Sequence, residues 1–315
     1  MTPKILSRTL ALGLTFSLGF MLVRPAPASA QICFFWQACA RRRGQASNTR
    51  AGGKRTGLIR GGNNPTVPYV ITPRNTWIGQ PPDQIRWHQV EGVSRYTVRL
   101  WYWVYRRNTS GTVLWETTVE ETNAVEFPEI SLELGGYYSI EVITDGGVSS
   151  DLDEGAYHAG FQLLALEDYQ LLRAHLTQVN ADNTSASEEE AALAAAGVYF
   201  LDELYADALE ILEPLALSPT ASDLVHTALG DTYGETGLNL LALAAYGRAL
   251  TIAAGNDDLL SQAIIRVKLA NIYILLENFD QAQQLLLEAR QLYAELGDQL
   301  EISLLDRRIR ALSSF

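Results

Sequence analysis

Apolar residues in the second half of the chain recur at helical spacing, and one pattern occurs three times. Each occurrence has a small residue, a tyrosine three positions later, an alanine twelve positions later and a larger apolar residue sixteen positions later. One helical hairpin cannot bury both of its apolar faces, so this pattern predicts stacked hairpins and a binding scaffold, not a catalyst. The three sets are Ala196, Tyr199, Ala208 and Leu212; Gly230, Tyr233, Ala242 and Tyr246; and Ala270, Tyr273, Ala282 and Leu286.

The small residue of the pattern moves by 34 positions from Ala196 to Gly230 and by 40 positions from Gly230 to Ala270. The longer second step predicts longer helices or a longer connection at 251–262. A capping box at Ser187, with acidic residues in the first turn, starts the helical region.

Two amphipathic segments flank the repeats. Residues 165–180 carry apolar side chains at spacings of three and four, which predicts a bridging helix within a segment 165–186 that ends in a polar linker. Residues 299–312 carry an apolar stripe opposite a charged face. Because the last hairpin of a stack needs a lid with one polar face, residues 187–315 are expected to hold three hairpins and a capping helix.

The repeats resemble the tetratricopeptide repeat, with 223–256 as the best-matching unit. The resemblance implies an all-α superhelix in which the first helix of each unit lines a groove. Such a groove suits an amphipathic helix or an extended apolar peptide from a protein partner. The partner-binding residues that the resemblance implies are Phe200, Leu201, Leu224, Asp231, Glu235, Ile264, Val267, Asn271 and Ile274.

Two aspects of this groove limit what the resemblance implies. A short solenoid leaves little groove, so Phe200 and Ile274 either contact a partner or pack inside the superhelix. Some members of the family clamp a C-terminal carboxylate with lysine and asparagine at set positions. The first unit has Leu193 and Gly197 there, so this clamp is not implied.

Residues 67–164 have a different pattern, in which short alternating runs rich in Val, Ile, Tyr and Trp are separated by Gly, Pro and Asn. Seven short strands in about a hundred residues favour an all-β sandwich. The predicted strands are 69–72, 84–89, 95–106, 112–119, 124–127, 137–144 and 160–164.

This region resembles the fibronectin type III domain, an Ig-like β-sandwich. The resemblance is carried by Ile85-Arg86-Trp87, by Tyr96-Thr97-Val98 and by the run from Leu132 to Val142. It implies that Trp87 is the core tryptophan and that Tyr138 is the corner tyrosine. Leu134 stands where the family usually has proline.

The strand expected at 95–106 carries aromatic residues on both faces. Tyr96 and the alternate residues after it continue the core pattern, so Trp101, Trp103 and Tyr105 are expected to face outward. Outward aromatic rings form either a ligand surface that stacks on sugar rings or anchors a protein, or a surface that another part of this chain covers.

The first 30 residues are typical of a secretory signal peptide. A basic start and an apolar run are followed by prolines and by Ala28-Ser29-Ala30, which fits a cleavage site after Ala30. An uncleaved anchor is the alternative. Cleavage would leave an exported protein, periplasmic or extracellular, without a membrane span.

Residues 31–66 are rich in Gly, Arg, Asn, Ser and Thr, which predicts a disordered basic tether. It either contacts an anionic surface or is a solvated spacer. Cys33 and Cys39 are the only cysteines of the chain. In an exported protein they form a disulfide with each other, pair between chains or remain unrelated thiols.

The charge and the motifs of the chain narrow the range of possible functions. Residues 61–315 hold 14 basic and 36 acidic residues, which argues against nucleic acid as a partner because phosphates would be repelled. No motif of nucleophile and histidine, zinc ligands or phosphate-binding glycines is present, so we expect no enzyme activity, no cofactor and no metal. The favoured function is an exported adaptor for a protein or peptide in the cell envelope. The alternative is a protein that binds cell-wall polysaccharide through Trp101, Trp103 and Tyr105 together with the basic tether.

Overall fold

The computed structural model describes residues 59–103, 111–156, 159–182 and 186–313. Within these residues a β-rich part of two sheets is followed by eight helices, so the predicted order of strands and then helices is confirmed. The strands are β1 (Val70–Thr72), β2 (Thr76–Ile78), β3 (Gln84–Trp87), β4 (Arg95–Trp103), β5 (Thr112–Glu120), β6 (Ala124–Glu126), β7 (Tyr137–Thr144) and β8 (Phe161–Leu163).

The two sheets share one hydrophobic core. One sheet has the strand order β1-β3-β6 and the other has the order β2-β8-β7-β4-β5, in which β2 runs parallel to β8. Alternate residues of β4 point inward, and Tyr96, Val98 and Leu100 are fully buried there with Trp87 of β3. All seven predicted strands are present, and β2 is an additional strand.

The helices are α1 (Leu166–Asp182), α2 (Glu188–Leu201), α3 (Tyr205–Ala216), α4 (Asp223–Thr236), α5 (Asn239–Gly255), α6 (Leu259–Leu275), α7 (Phe279–Glu295) and α8 (Gln299–Leu312). Helix α1 packs through Leu172 against Val198 of α2. At the other end, α8 packs on α7 and buries Leu305. The two flanking helices therefore cover the ends of the row of hairpins.

Three turns between paired helices have the same hydrogen bond. The carbonyls of Tyr199, Tyr233 and Tyr273 each accept from the N–H five residues later, at 2.9, 2.8 and 2.9 Å. The residue before that N–H has a positive φ in each turn, 63° at Glu203, 74° at Gly237 and 58° at Glu277. This left-handed residue ends the first helix and lets the chain reverse.

Small residues of the repeated pattern bring the paired helices together. Ala196, Ala242 and Ala270 are fully buried, and a Cβ at Gly230 would lie 2.5 Å from the ring of Tyr246. The 40-residue step comes from longer helices, since α5 and α6 have 17 residues each whereas α3 has 12 and α4 has 14.

The β-rich part meets the helices at the turns inside the hairpins. The N–H of Trp77 donates to the carbonyl of Glu203, between α2 and α3, at 3.0 Å. The side chain of Asn75 donates to the carbonyl of Glu235, near the end of α4, at 2.8 Å. Tyr69 belongs to the helical core cluster. Polar and apolar contacts together therefore join the strands to the helices.

A buried ion pair stands at this junction. Arg74 Nη2 donates to Asp153 Oδ2 at 2.6 Å, and the two side chains are 1% and 0% exposed. Arg74 Nε also donates to the carbonyl of Thr236, the last residue of α4, at 2.7 Å. The N–H of Gly62 donates to Asp153 Oδ1 at 2.7 Å. The pair therefore links two loops of the β-rich part to the C-terminus of a helix, where positive charge is favourable.

Residues 59–62, expected in the disordered basic tether, lie against the helices instead. Ile59 is buried, and its carbonyl accepts from the side chain of Asn239 at 3.2 Å. The carbonyls of the next two glycines accept from the first N–H groups of α5. Arg60 forms an ion pair with Glu277 at 2.7 Å. The segment is fixed because the unpaired N–H groups at a helix start need acceptors.

Candidate interaction surfaces

The predicted groove residues lie on the first helices of the hairpins, α2, α4 and α6, and we call this the first-helix face. Helix α4 contacts both α2 and α6, so the three helices form a continuous row. Leu224, Ile264, Val267 and Ile274 are half-buried and pack against the helical core cluster. The face therefore exposes parts of apolar side chains that are supported from below.

The last two residues of α2, Phe200 and Leu201, differ in their exposure to solvent. Phe200 is 8% exposed, and its ring makes an edge-to-face contact with Tyr205 at 5.5 Å. It is therefore packed among the helices, which is one of the two placements that the sequence left open for it. Leu201 is 45% exposed and is open to solvent.

An acidic residue in the middle of the face is neutralised within the chain. Asp231 of α4 accepts from Lys268 Nζ of α6 at 2.6 and 2.8 Å and from the Tyr246 hydroxyl at 2.6 Å. The sequence predicted Asp231 as a partner-binding groove residue and did not identify Lys268. A lysine 37 positions away has no local pattern that would reveal the pair.

A second basic side chain connects the next two helices of the row, α6 and α8. Arg308 Nη2 of α8 donates to Asn271 Oδ1 of α6 at 2.5 Å. This pair spans 37 positions, as the pair of Lys268 and Asp231 does, and it lies one hairpin further along the row. Here the acceptor is a neutral amide. Asn271 is a predicted groove residue, whereas Arg308 was expected only as part of the capping helix.

Glu235 lies where the first-helix face meets the strands. Its carbonyl accepts from Asn75, and its side chain is half-buried. The β-rich part therefore borders the face at the end of α4.

Two of the three residues of the predicted aromatic patch lie on the side of β4 opposite the core. Trp101 and Trp103 are half-buried on the side of β4 opposite the core, and their rings stack with centroids 5.7 Å apart at 26°. Trp101 Nε1 donates to Glu141 Oε2 at 3.0 Å, and Trp103 Nε1 donates to Ser139 Oγ at 2.9 Å. Tyr105 lies outside the described residues.

Register extends this face beyond the predicted residues. Trp103 is opposite Tyr137 of β7, Tyr137 is opposite Gln162 of β8, and Gln162 is opposite Trp77 of β2. Paired residues of neighbouring strands share a face, so these side chains lie on the same face as the two tryptophans. We call the aromatic residues Trp101, Trp103, Tyr137 and Trp77 the aromatic row. Trp77 packs with the cluster under α1, so α1 covers that end of the row.

Several predictions concern residues outside the described part of the chain. They include the signal peptide, the tether up to residue 58, Cys33 and Cys39. Within the described ranges, no helix is both long and apolar enough to cross a membrane. In those same ranges, no three His, Cys, Asp or Glu side chains are grouped so that they could hold a metal ion.

Comparison with models of known protein families gives no match, and comparison with curated proteins gives none either.

Proposed function

We propose that this chain is a non-enzymatic, exported adaptor that binds a peptide or helix of a partner protein on its first-helix face. The observation that carries the proposal is the row of half-buried apolar residues Leu224, Ile264, Val267 and Ile274 on neighbouring first helices. Apolar residues on adjacent helices, rigidly supported, are what an amphipathic or extended peptide recognises. Export is inferred from the signal sequence at residues 1–30.

The proposal includes a tetratricopeptide-like superhelix. Three features support it: the shared turn hydrogen bond of the hairpins, the buried small residues of the pattern, and the contacts between successive first helices. A row whose first helices touch one another curves toward them and gives that side a groove.

The proposal also includes an Ig-like or fibronectin type III-like sandwich for residues 67–164. The strand order within the two sheets and their shared core support it. The Tyr138 hydroxyl accepts from the N–H of Glu133 at 2.5 Å, as a tyrosine corner would.

A peptide-display selection on the mature chain tests the adaptor function. We expect enriched peptides with apolar residues at positions i, i+3, i+4 and i+7. Because Ile264 and Ile274 supply apolar surface, Ile264→Gln with Ile274→Gln should weaken these peptides by about tenfold or more.

Leu217→Gln is the matched control for this selection. Leu217 is 86% exposed at the end of α3 and lies outside the first-helix face, so its replacement should leave binding unchanged. Selection without enrichment, or equal loss in both variants, would contradict the adaptor function.

The aromatic row favours a second candidate, binding of cell-wall polysaccharide. Both indole N–H groups are held by side-chain acceptors, so the orientation of the two rings is fixed before a ligand arrives. Two fixed rings side by side form a platform on which sugar rings stack.

Cosedimentation with insoluble cell-wall polysaccharide tests this candidate. Trp101→Ala with Trp103→Ala should release the protein. Leu152→Ala, which changes an exposed residue in the turn after β7 and outside the two tryptophan rings, should not. Retention of the tryptophan variant on the polysaccharide would exclude the platform as the binding site.

A further inference from the structure

The two edge strands of the five-stranded sheet have different surroundings. At one edge, β2 has three residues, and the N–H of Trp77 donates to the carbonyl of Glu203 between two helices. At the other edge, β5 has nine residues. Among the described residues, the backbone of 113–119 pairs with β4 alone. In this part of the chain, the outer N–H and C=O groups of β5 are therefore available to a further strand.

The sequence of β5 has few of the features that block strand pairing. Natural edge strands are commonly protected by lysine, by proline or by a charge that points inward. Residues 112–120 contain neither lysine nor proline, and their two acids, Glu116 and Glu120, lie on the face away from the core. A bulge interrupts the pairing with β4 at Leu114. The regular stretch 115–119 can therefore accept a strand on its outer side.

The charges of β5 are already neutralised within the chain. Arg95 pairs with Glu120 at 2.7 Å, and Arg99 pairs with Glu116 at 2.5 Å. A basic strand, such as the predicted tether, would find both carboxylates of this strand paired. The edge therefore favours a partner strand that does not carry an excess of positive charge.

A second copy of β5 meets this requirement. Opposite residues of paired strands share a face. With Thr117 on the two-fold axis of an antiparallel pair, Trp115 lies opposite Val119 of the second copy. Both residues are half-buried on the core side of β5, and an aromatic residue opposite a β-branched one stabilises paired strands. In the same register, Glu116 lies opposite Thr118, so no two charges of like sign are opposite each other.

The neighbouring registers are less favourable. An axis at Glu116 places two copies of this glutamate opposite each other, and an axis at Thr118 places Glu116 opposite Glu120. Like charges directly opposite each other destabilise paired strands. An axis at Trp115 requires pairing through the bulge. The sequence of β5 therefore selects the register centred on Thr117.

We propose that two copies of this chain pair antiparallel through β5, with Thr117 on the axis, and join their five-stranded sheets into one. This inference goes beyond the adaptor function and does not depend on it. Because one pair of edge strands is a small interface, the dimer is reversible. The helices contact the sheet at β2, the opposite edge, so they lie at the two ends of the joined sheet.

Opposite charges at Thr118 test the pairing in sedimentation equilibrium of the mature chain. Thr118→Lys should tighten the dimer about fivefold, because each lysine lies opposite Glu116 of the other copy. Thr118→Glu should weaken the dimer by about the same factor, because it places like charges opposite each other. Thr251→Lys and Thr251→Glu make the same changes of charge at an exposed position of α5 and should leave the dissociation constant unchanged.

The stability of the monomer separates this effect from misfolding. Within one chain, Thr118 lies opposite Thr97 of β4 and diagonal to Arg95 and Arg99. At concentrations where the monomer prevails, Thr118→Glu should therefore raise Tm, and Thr118→Lys should lower it. The variant with the more stable fold is thus expected to form the weaker dimer.

Cysteine substitution locates the axis, in a chain that carries Cys33→Ser and Cys39→Ser. The two copies of Thr117→Cys should form a disulfide, because opposite Cα atoms of antiparallel strands are about 4.5–5.5 Å apart. Glu116→Cys should not form one, since each copy lies opposite Thr118 and not opposite the other cysteine.

Three outcomes would overturn the proposal: a wild type that remains monomeric at about 1 mM, a dimer that neither Thr118 variant changes, or equal cross-linking at 116 and 117. An edge covered by the tether gives the first of these. A dimer that persists when the peptide selection fails refutes the adaptor function alone, so the two proposals can fail separately.

Discussion

Asp207, in the first turn of α3, is a carboxylate whose charged form the fold disfavours. Burial and, to a smaller extent, the negative charge of Glu210 one turn along the helix together raise its pKa from 3.8 to about 7. Below pH 3.8 the group is neutral in both the folded and unfolded states. Between 3.8 and about 7 the unfolded chain ionises first, so stability falls as pH rises, and above about 7 the cost is constant.

We expect Asp207→Asn to stabilise the protein in a pH-dependent way. Because the side chain is only half-buried, solvent reduces the full linkage, and we expect a gain of about 2 kcal/mol at pH 8 and almost none at pH 4. Urea unfolding at several pH values measures it. Glu210→Gln is the control: without the charge of Glu210 the pKa of Asp207 is lower, so the loss of stability should be complete at a lower pH. A gain from Asp207→Asn that does not depend on pH would contradict the argument.

At the scale of elements, the two helices of a hairpin carry side chains of complementary size where they meet. Gly230 of α4 faces the Tyr246 ring of α5, whereas the third hairpin has Ala270 with Leu286 at the corresponding positions. The larger partner in the second helix therefore requires the smaller residue in the first.

This matching predicts the effect of exchanging one pair for the other. Gly230→Ala alone should destabilise the protein by about 1–3 kcal/mol, because its Cβ would lie 2.5 Å from the Tyr246 ring. Gly230→Ala with Tyr246→Leu should recover most of this loss, although it removes the hydroxyl that bonds Asp231. Thermal unfolding of the wild type, the single variant and the double variant measures these changes in stability. A double variant no more stable than Gly230→Ala would refute size matching.

Most helices and strands could be predicted from the sequence, whereas the contacts between elements far apart in the chain could not. The facing of Trp101 and Trp103 follows from alternation along one strand, a local pattern. Strand β2 has only three residues and pairs in parallel with β8, more than 80 positions away, so alternation gives no sign of it. Lys268 and Arg308 were missed for the same reason, since each acts on a residue 37 positions away.

At the scale of the whole molecule, the strands and helices are joined by buried polar contacts. Arg74 and Asp153 are both fully buried, and through Thr236 and Gly62 they hold a helix end and the segment before β1. The sequence separated a strand domain from a helix domain at residue 164. It gave no sign of this joint, because its four participants are scattered from 62 to 236.

The joint predicts how the molecule unfolds. Wild type should show one calorimetric transition, and Arg74→Met should cost about 3–5 kcal/mol, because it leaves Asp153 buried without a counter-ion. Separate transitions for strands and helices should then become visible. Arg95→Met, at an exposed ion pair with Glu120, should cost less than about 1 kcal/mol. Two transitions in the wild type would show that the joint does not couple the parts.

The seating of residues 59–62 on the start of α5 has a mechanical consequence. A pulling force that enters the chain from its N-terminal side reaches the bonds to Asn239 and Leu240 before it reaches any strand. The bond from Gly62 to Asp153 and the ion pair of Arg60 with Glu277 share that tension, so the load is divided between strand and helix parts. A force on the N-terminal segment therefore reaches the helices directly, without first passing along the strands.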